Sequence, residues 1–107
     1  MKVVYTNTAK FDLQEIYEYI AYTLMEQNTA KVLSEKITQE IRALEFMPER
    51  HPPYQEEPWR SQGVRFLRVK TYLAFYTVDP NTDTVSVARI MYGSRDLSHQ
   101  LEETYEW

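Results

Sequence analysis

The chain has 107 residues, 43% of them hydrophobic, no cysteine, and a formal net charge of -4. This length suits one domain, residues 1–107, able to bury a core without staples, and the missing cysteines exclude disulfides and thiolate zinc sites. No run approaches the roughly 18 apolar residues of a membrane span, and the acidic balance argues against the broad, salt-sensitive phosphate binding of a dedicated nucleic-acid protein.

The first ten residues, "MKVVYTNTAK", contain no apolar export segment, so the cytoplasm is the expected location. Within them "KVVYT", residues 2–6, is a β-branched apolar run and reads as a strand. Leu13, Ile16, Tyr17, Ile20, Ala21 and Leu24 then recur at helical spacing, with Asp12, Glu15, Glu18 and Glu26 mainly off the stripe. A second stripe, Ala30, Leu33, Ile37, Ile41 and Leu44, follows the polar "QNT", where Asn28 or Thr29 is the expected N-cap. The short joint between them makes a helical hairpin. Pro48 is expected to end the second helix, because proline disfavours helical geometry before it and lacks an amide donor.

Residues 48–63, "PERHPPYQEEPWRSQG", have neither helical nor strand period and form a long loop. Such a loop either carries binding work or crosses the domain and packs Tyr54 and Trp59 as lids. From Val64 the character turns to β: "VRFLRVK", "TYLAFYTV" and "TVSVARIMY" are separated by a joint at Lys70 and Thr71 and by the turn sequence "DPNTD". Strict alternation in the last run places Val85, Val87, Arg89 and Met91 on one face, with Ala88, Ile90 and Tyr92 on the other. Gly93 breaks this strand and is expected to supply a positive φ. A short helix from about Ser94 follows, with a frayed acidic tail after Leu101. The order β-α-α-β-β-β makes an α+β fold, an antiparallel sheet covered on one face by a helical hairpin.

Charge is unevenly spread. Residues 59–95 hold Arg60, Arg65, Arg68, Lys70, Arg89 and Arg95 against only Asp79 and Asp83, so a local basic face coexists with an acidic remainder. His51 and His99 lack a metal-ligand spacing, and Ser61 and Ser94 lack a nucleophile-elbow context, so neither a metal site nor a hydrolytic triad is expected. The nine tyrosines read as core edges and interface residues, although Tyr72 and Tyr76 on a sheet also suit base stacking.

"DLQEIYEYIA" in the first helix, "AFYTV" in the middle strand and "VARIMYGSRDL" at the end, in that order and spacing, resemble the RelE/ParE superfamily of toxins from type II toxin-antitoxin modules. The resemblance covers residues 3–97. It implies a small cytoplasmic, growth-inhibitory toxin, of the kind associated with plasmid stabilisation, that needs no cofactor and forms a hetero-oligomer with an antitoxin wrapped around it. The superfamily holds two activities: RelE-like members cut mRNA in the ribosome, and ParE-like members poison DNA gyrase.

If the chain is an enzyme, it is therefore an mRNA endoribonuclease. Attack by a 2′-hydroxyl needs a base, cations on the phosphate and an acid for the leaving oxygen. Arg68, Arg89 and Arg95 are the candidate clamps, with Arg65 and Lys70 nearby, Tyr92 as proton donor and Glu57 as base. Three positions depart from the nuclease pattern. Leu73 stands where many members have arginine after the tyrosine of Tyr-Arg-x-x-Tyr, Tyr92 where some have histidine, and Leu101 where others have tyrosine. The "YGSRD" ending is closer to the ParE-like branch, which implies a protein target such as gyrase, with Arg65, Arg68 and Arg95 as contacts to target or antitoxin. A binding protein without toxicity on the same fold is the third reading. Structural roles compete for each arginine: Arg65 and Arg68 alternate to opposite strand faces, Arg89 suits an ion pair with Glu15 or Glu18, and Arg95 with Asp96 suits a turn or helix cap.

Overall fold

The two helical stripes and the three β-rich runs fold as their periods demand. The structure, a computed structural model, describes residues 1–93 and 96–107. A four-stranded sheet is built from β1 (Lys2–Tyr5), β2 (Arg65–Val69), β3 (Tyr72–Asp79) and β4 (Thr84–Tyr92), in the order β1-β4-β3-β2. Helix α1 (Asn7–Glu18) runs into a π-helical turn, Tyr19–Thr23. Helix α2 (Gln27–Arg42) tightens into a 3-10 turn, Ala43–Glu45, and the short α3 (Leu97–Glu102) closes the chain.

The α+β class stands, but the sheet is mixed: β1 pairs parallel with β4, while β2, β3 and β4 form the antiparallel meander. The helical hairpin is the cause. Helix α1 continues the direction of β1, since its Asp12 reaches Ile90 beyond the end of β1, and α2 returns until the carbonyl of Glu45 meets the Met1 amino group at 3.1 Å. The chain is back at its starting level, so β2 runs parallel to β1. Two reversals later β4 does so too.

Apolar residues lie on both faces of the sheet. Beneath the hairpin, Ala30, Leu33, Ile37, Ile41 and Leu44 of the second stripe join Leu67, Tyr76, Val85, Val87 and Ile90. On the opposite face Phe75, Leu73 and Met91 pack with Trp59, Val64 and Leu101, and Tyr54 makes edge contacts with Trp59, Phe66 and Phe75. The long loop crosses from one face to the other, and Tyr54 and Trp59 do act as its lids. Its aromatics have no helical or strand period because they pack from irregular backbone.

Several local expectations are corrected. Leu24 is 50% exposed, at the hairpin turn where the stripe runs past the sheet. Asp12 is buried, at 6% exposure. Neither Asn28 nor Thr29 caps α2, which begins at Gln27 after Met25 has turned the chain with a φ of 58°. Helix α2 ends before Pro48, which is buried and opens a separate 3-10 turn, Pro48–Arg50. Alternation in β4 fails at Ala88. Phe75 lies opposite Arg89 and Tyr76 opposite Val87, so Ala88 is a bulge that sends Arg89 and Met91 to the face opposite Val85 and Val87. Helix α3 starts at Leu97, and the Asp96 carboxylate accepts the His99 amide at 3.3 Å. The acidic tail is held: Thr104 is buried, Trp107 packs on the second-face core, and Glu106 accepts both the amide and the hydroxyl of Thr8 at 3.2 Å.

Tyr76 has the largest side chain among the fully buried residues, and its hydroxyl donates to the Pro48 carbonyl. Burial pushes the phenol up to about 12, with Arg65 and Arg50 opposing. Because the folded value lies above the unfolded one, this contribution to stability is complete below about pH 10 and is lost as pH rises towards about 12. Urea unfolding between those limits is expected to show a slope of up to about 1.4 kcal/mol per pH unit from this residue, absent in Tyr76→Phe.

Candidate functional site

Arg68, Lys70, Arg89 and Tyr92 lie around the far end of β4, and their placement starts with one cap. Thr6 accepts the Ala9 amide at 3.1 Å and donates its hydroxyl to the Ala88 carbonyl at 3.0 Å, so it both starts α1 and pins that helix to the bulge. Two turns on, Asp12 comes down on the edge of β4 that β1 is too short to cover. Its Oδ2 accepts the Ile90 amide at 3.0 Å, replacing a missing strand partner.

The same carboxylate receives Arg89. Its Nε donates to Oδ2 at 2.7 Å and its Nη2 to Oδ1 at 3.1 Å, a bidentate pair with side chains only 12% and 7% exposed. The remaining nitrogen, Nη1, donates to Thr104 Oγ1 at 3.2 Å and more weakly to the Gln100 carbonyl at 3.4 Å. Thus Arg89 does find a helix carboxylate, but it is Asp12 rather than Glu15 or Glu18. The guanidinium ties α1, β4 and the tail together.

Arg65 is half-buried, with Nη1 donating to the His51 carbonyl at 2.6 Å, and it sits on the opposite face of β2 from the exposed Arg68. Arg68 lies beside Gly93. A β-carbon on that glycine would stand 3.6 Å from Arg68 Nη1 and 3.1 Å from the Thr71 carbonyl oxygen. Gly93 does not have a positive φ; its amide donates to Thr71 O at 2.7 Å, and a β-carbon there would crowd the Thr71 carbonyl. Lys70, at the β2–β3 turn with a φ of 54°, is exposed near the same end of the sheet. Glu57 lies on the loop and is engaged by the Ser61 amide and hydroxyl at 2.8 and 2.7 Å, which hold its carboxyl below the usual range. Arg95 lies outside the described residues. Leu73 and Leu101 are both buried in the second-face core.

Tyr92 is 45% exposed on the hairpin side, its ring tilted against Tyr72 with centroids 5.7 Å apart. Both rings line a cleft of about 690 Å³ between the end of the sheet and the hairpin tip, completed by Tyr19, Leu24, Ile16 and Glu15 and floored by the Asp12–Arg89 pair. Burial, followed by Tyr92 and Tyr19, pushes the Tyr72 phenol up, so it stays neutral across the physiological range. Among the described residues no three His, Asp or Glu side chains gather as a metal would require, and no helix is long and apolar enough to cross a membrane.

Asp12 is the structural residue that periodicity missed. Its signal was indirect: an arginine inside the apolar run "VARIM" needs a partner, and Asp12 sits between Ala9 and Ile16 on the buried line of α1. Replacing Asp12 with Ala leaves the Arg89 charge and the Ile90 amide unpaired and is expected to cost about 3–5 kcal/mol in urea unfolding. The double replacement Asp12→Leu with Arg89→Met is expected to recover most of that, short of the roughly 1–3 kcal/mol for the orphaned amide.

A family model for the ParE toxin of the type II toxin-antitoxin system parDE matches residues 3–97. No curated protein sequence matches the chain. Among solved structures, it is similar to a chain of the chromosomal ParDE toxin-antitoxin system from P. aeruginosa, with a TM-score of 0.72 and 22% identity over 86% of this chain and 95% of that one. It is also similar to a chain of the toxin-antitoxin complex RelBE2 from Mycobacterium tuberculosis, with a TM-score of 0.57 and 24% identity over 85% and 88% of the two chains. At these identities the two structures speak for the fold.

Proposed function

The chain belongs to the ParE toxin family of type II toxin-antitoxin systems, and on that premise we propose that it is a cytoplasmic growth inhibitor that acts on a protein target, DNA gyrase, and is neutralised by a cognate antitoxin. The observation that carries the choice of a protein over RNA is the occupation of Arg89. Every nitrogen of its guanidinium donates within the fold, to Asp12, Thr104 and Gln100, and the side chain is only 12% exposed, which makes it a poor clamp for a phosphate. Leu73 and Leu101 support the same reading, because each is built into the second-face core at a position where the nuclease pattern stated above has arginine in many members and tyrosine in others. Glu57 has its oxygens engaged by Ser61.

Contacts to the target fall to the exposed end of β2, where Arg68 stands beside Gly93, together with Arg95. Arg65, held by the His51 carbonyl, is a contact of the opposite face of β2. The antitoxin covers the exposed apolar residues of the helical hairpin, where Tyr19, Tyr22 and Met25 are more than half exposed, and the pair is a hetero-oligomer.

Expression of the chain alone is expected to arrest growth and to inhibit supercoiling by purified gyrase. Arg68→Glu, a change at an exposed position, is expected to weaken inhibition at least about tenfold, the size of a lost charged contact. Normal supercoiling accompanied by new ribosome-dependent cuts in mRNA would establish the endonuclease instead, and normal growth would leave a binding protein. Because the chain is acidic, its affinity for the antitoxin is expected to fall only modestly with added salt, as measured by calorimetry.

A further inference from the structure

The cleft between the hairpin tip and the end of β4 has a chemistry of its own and shares Tyr19 with the hairpin surface assigned above to the antitoxin. Its walls are three phenol rings, Tyr19, Tyr72 and Tyr92, with Leu24 and Ile16 beside them. Tyr19 and Tyr92 are 54% and 45% exposed, and Tyr72 and Tyr92 pack as a tilted pair, centroids 5.7 Å apart and planes at 59°, which makes one continuous aromatic wall facing Tyr19. The charges around it do not balance. Asp12 and Arg89 pair with one another at 2.7 Å, which leaves the exposed Glu15 as the remaining charge among the described residues that line the cleft. Glu18, one turn along, is also exposed.

We propose that this cleft is an aromatic cage for the guanidinium of an arginine projecting from a protein partner, which lies against the wall formed by Tyr72 and Tyr92, beside Tyr19, and pairs with Glu15. Electron-rich ring faces attract cations, and a desolvated cation over tyrosine gains more than an exposed one. Arginine fits better than lysine because its flat cation lies along a ring while its edge donors reach a carboxylate in the same plane. An apolar side chain would satisfy Leu24 and Ile16 but leave Glu15 without a partner. Complementarity of charge thus selects the occupant: a segment carrying arginine, set against an acidic hairpin tip. That the carrier is a protein rests on the reading above; the chemistry of the cage does not.

The experiment uses the full chain with its tyrosine rings carbon-13 labelled and N-acetyl-arginine amide as probe. Ring resonances of Tyr19, Tyr72 and Tyr92 are expected to shift together and to saturate in the millimolar range. N-acetyl-citrulline amide, of nearly the same shape but uncharged, and N-acetyl-lysine amide are expected to bind on the order of tenfold more weakly. Glu15→Gln, at an exposed position, is expected to weaken arginine binding and to leave citrulline binding unchanged. Tyr92→Ala is expected to abolish it, with the undisturbed spectrum of the core methyl groups reporting that the chain remains folded. Absence of shifts at these three rings, equal binding of citrulline, or lysine binding as tight as arginine would each overturn the proposal. Growth and gyrase activity do not enter these measurements, so a failure of the toxin reading and a failure of the cage are seen separately.

Discussion

The buried pair of Asp12 and Arg89 is the interaction on which the rest of the arrangement depends. It closes three problems at once: the short β1 leaves a strand edge uncovered, the bulge at Ala88 turns an arginine out of the alternation, and the C-terminal tail needs an anchor. One carboxylate accepts the orphaned Ile90 amide and two guanidinium donors, and the third guanidinium nitrogen, Nη1, donates to Gln100 and Thr104. A charge pair at this depth is tolerable only because nearly every donor and acceptor in it is used. The consequence for function is direct. An arginine that the sequence offers as a phosphate clamp is a structural tie, and the exposed cations at this end of the described sheet are Arg68 and Lys70 instead.

The two faces of the sheet divide the work. The hairpin face is a conventional helix-on-sheet core, with the second helical stripe seated on Val85, Val87 and Ile90. The opposite face is covered without a long helix, by Trp59 and Tyr54 of the loop and Leu101 of α3. Leu73 and Leu101 share this core with Phe75 and Met91, where a charge would be buried without a partner. The exposed end of the sheet, by contrast, keeps polar and aromatic groups, with Arg68 and Gly93 on one side and Tyr72 and Tyr92 on the other.

Particular residues mark how far sequence reasoning reaches. Ala30, Leu33, Ile37, Ile41 and Leu44 were legible because a helix buried on one side repeats with its own period, and all five are buried. The three β-rich runs were legible for the same reason. Leu24 was misread because spacing says which side of a helix is apolar but not where the sheet beneath it stops. The candidate site was only half legible. That Arg89 needs a carboxylate follows from an arginine in an apolar run; which carboxylate depends on how far α1 travels past β1.

By itself, then, the amino-acid sequence determined the element order, the two helical faces, the meander and the resemblance to one toxin superfamily, because each is carried by local period, turn chemistry or linear order. Only the tertiary structure decided that β1 lies parallel to β4, that Ala88 reverses the facing of Arg89 and Met91, and that Glu106 reaches Thr8. Those outcomes depend on the direction in which the hairpin returns and on a one-residue shift in pairing. Both are set by contacts between segments up to 98 positions apart, which leave no period along the chain.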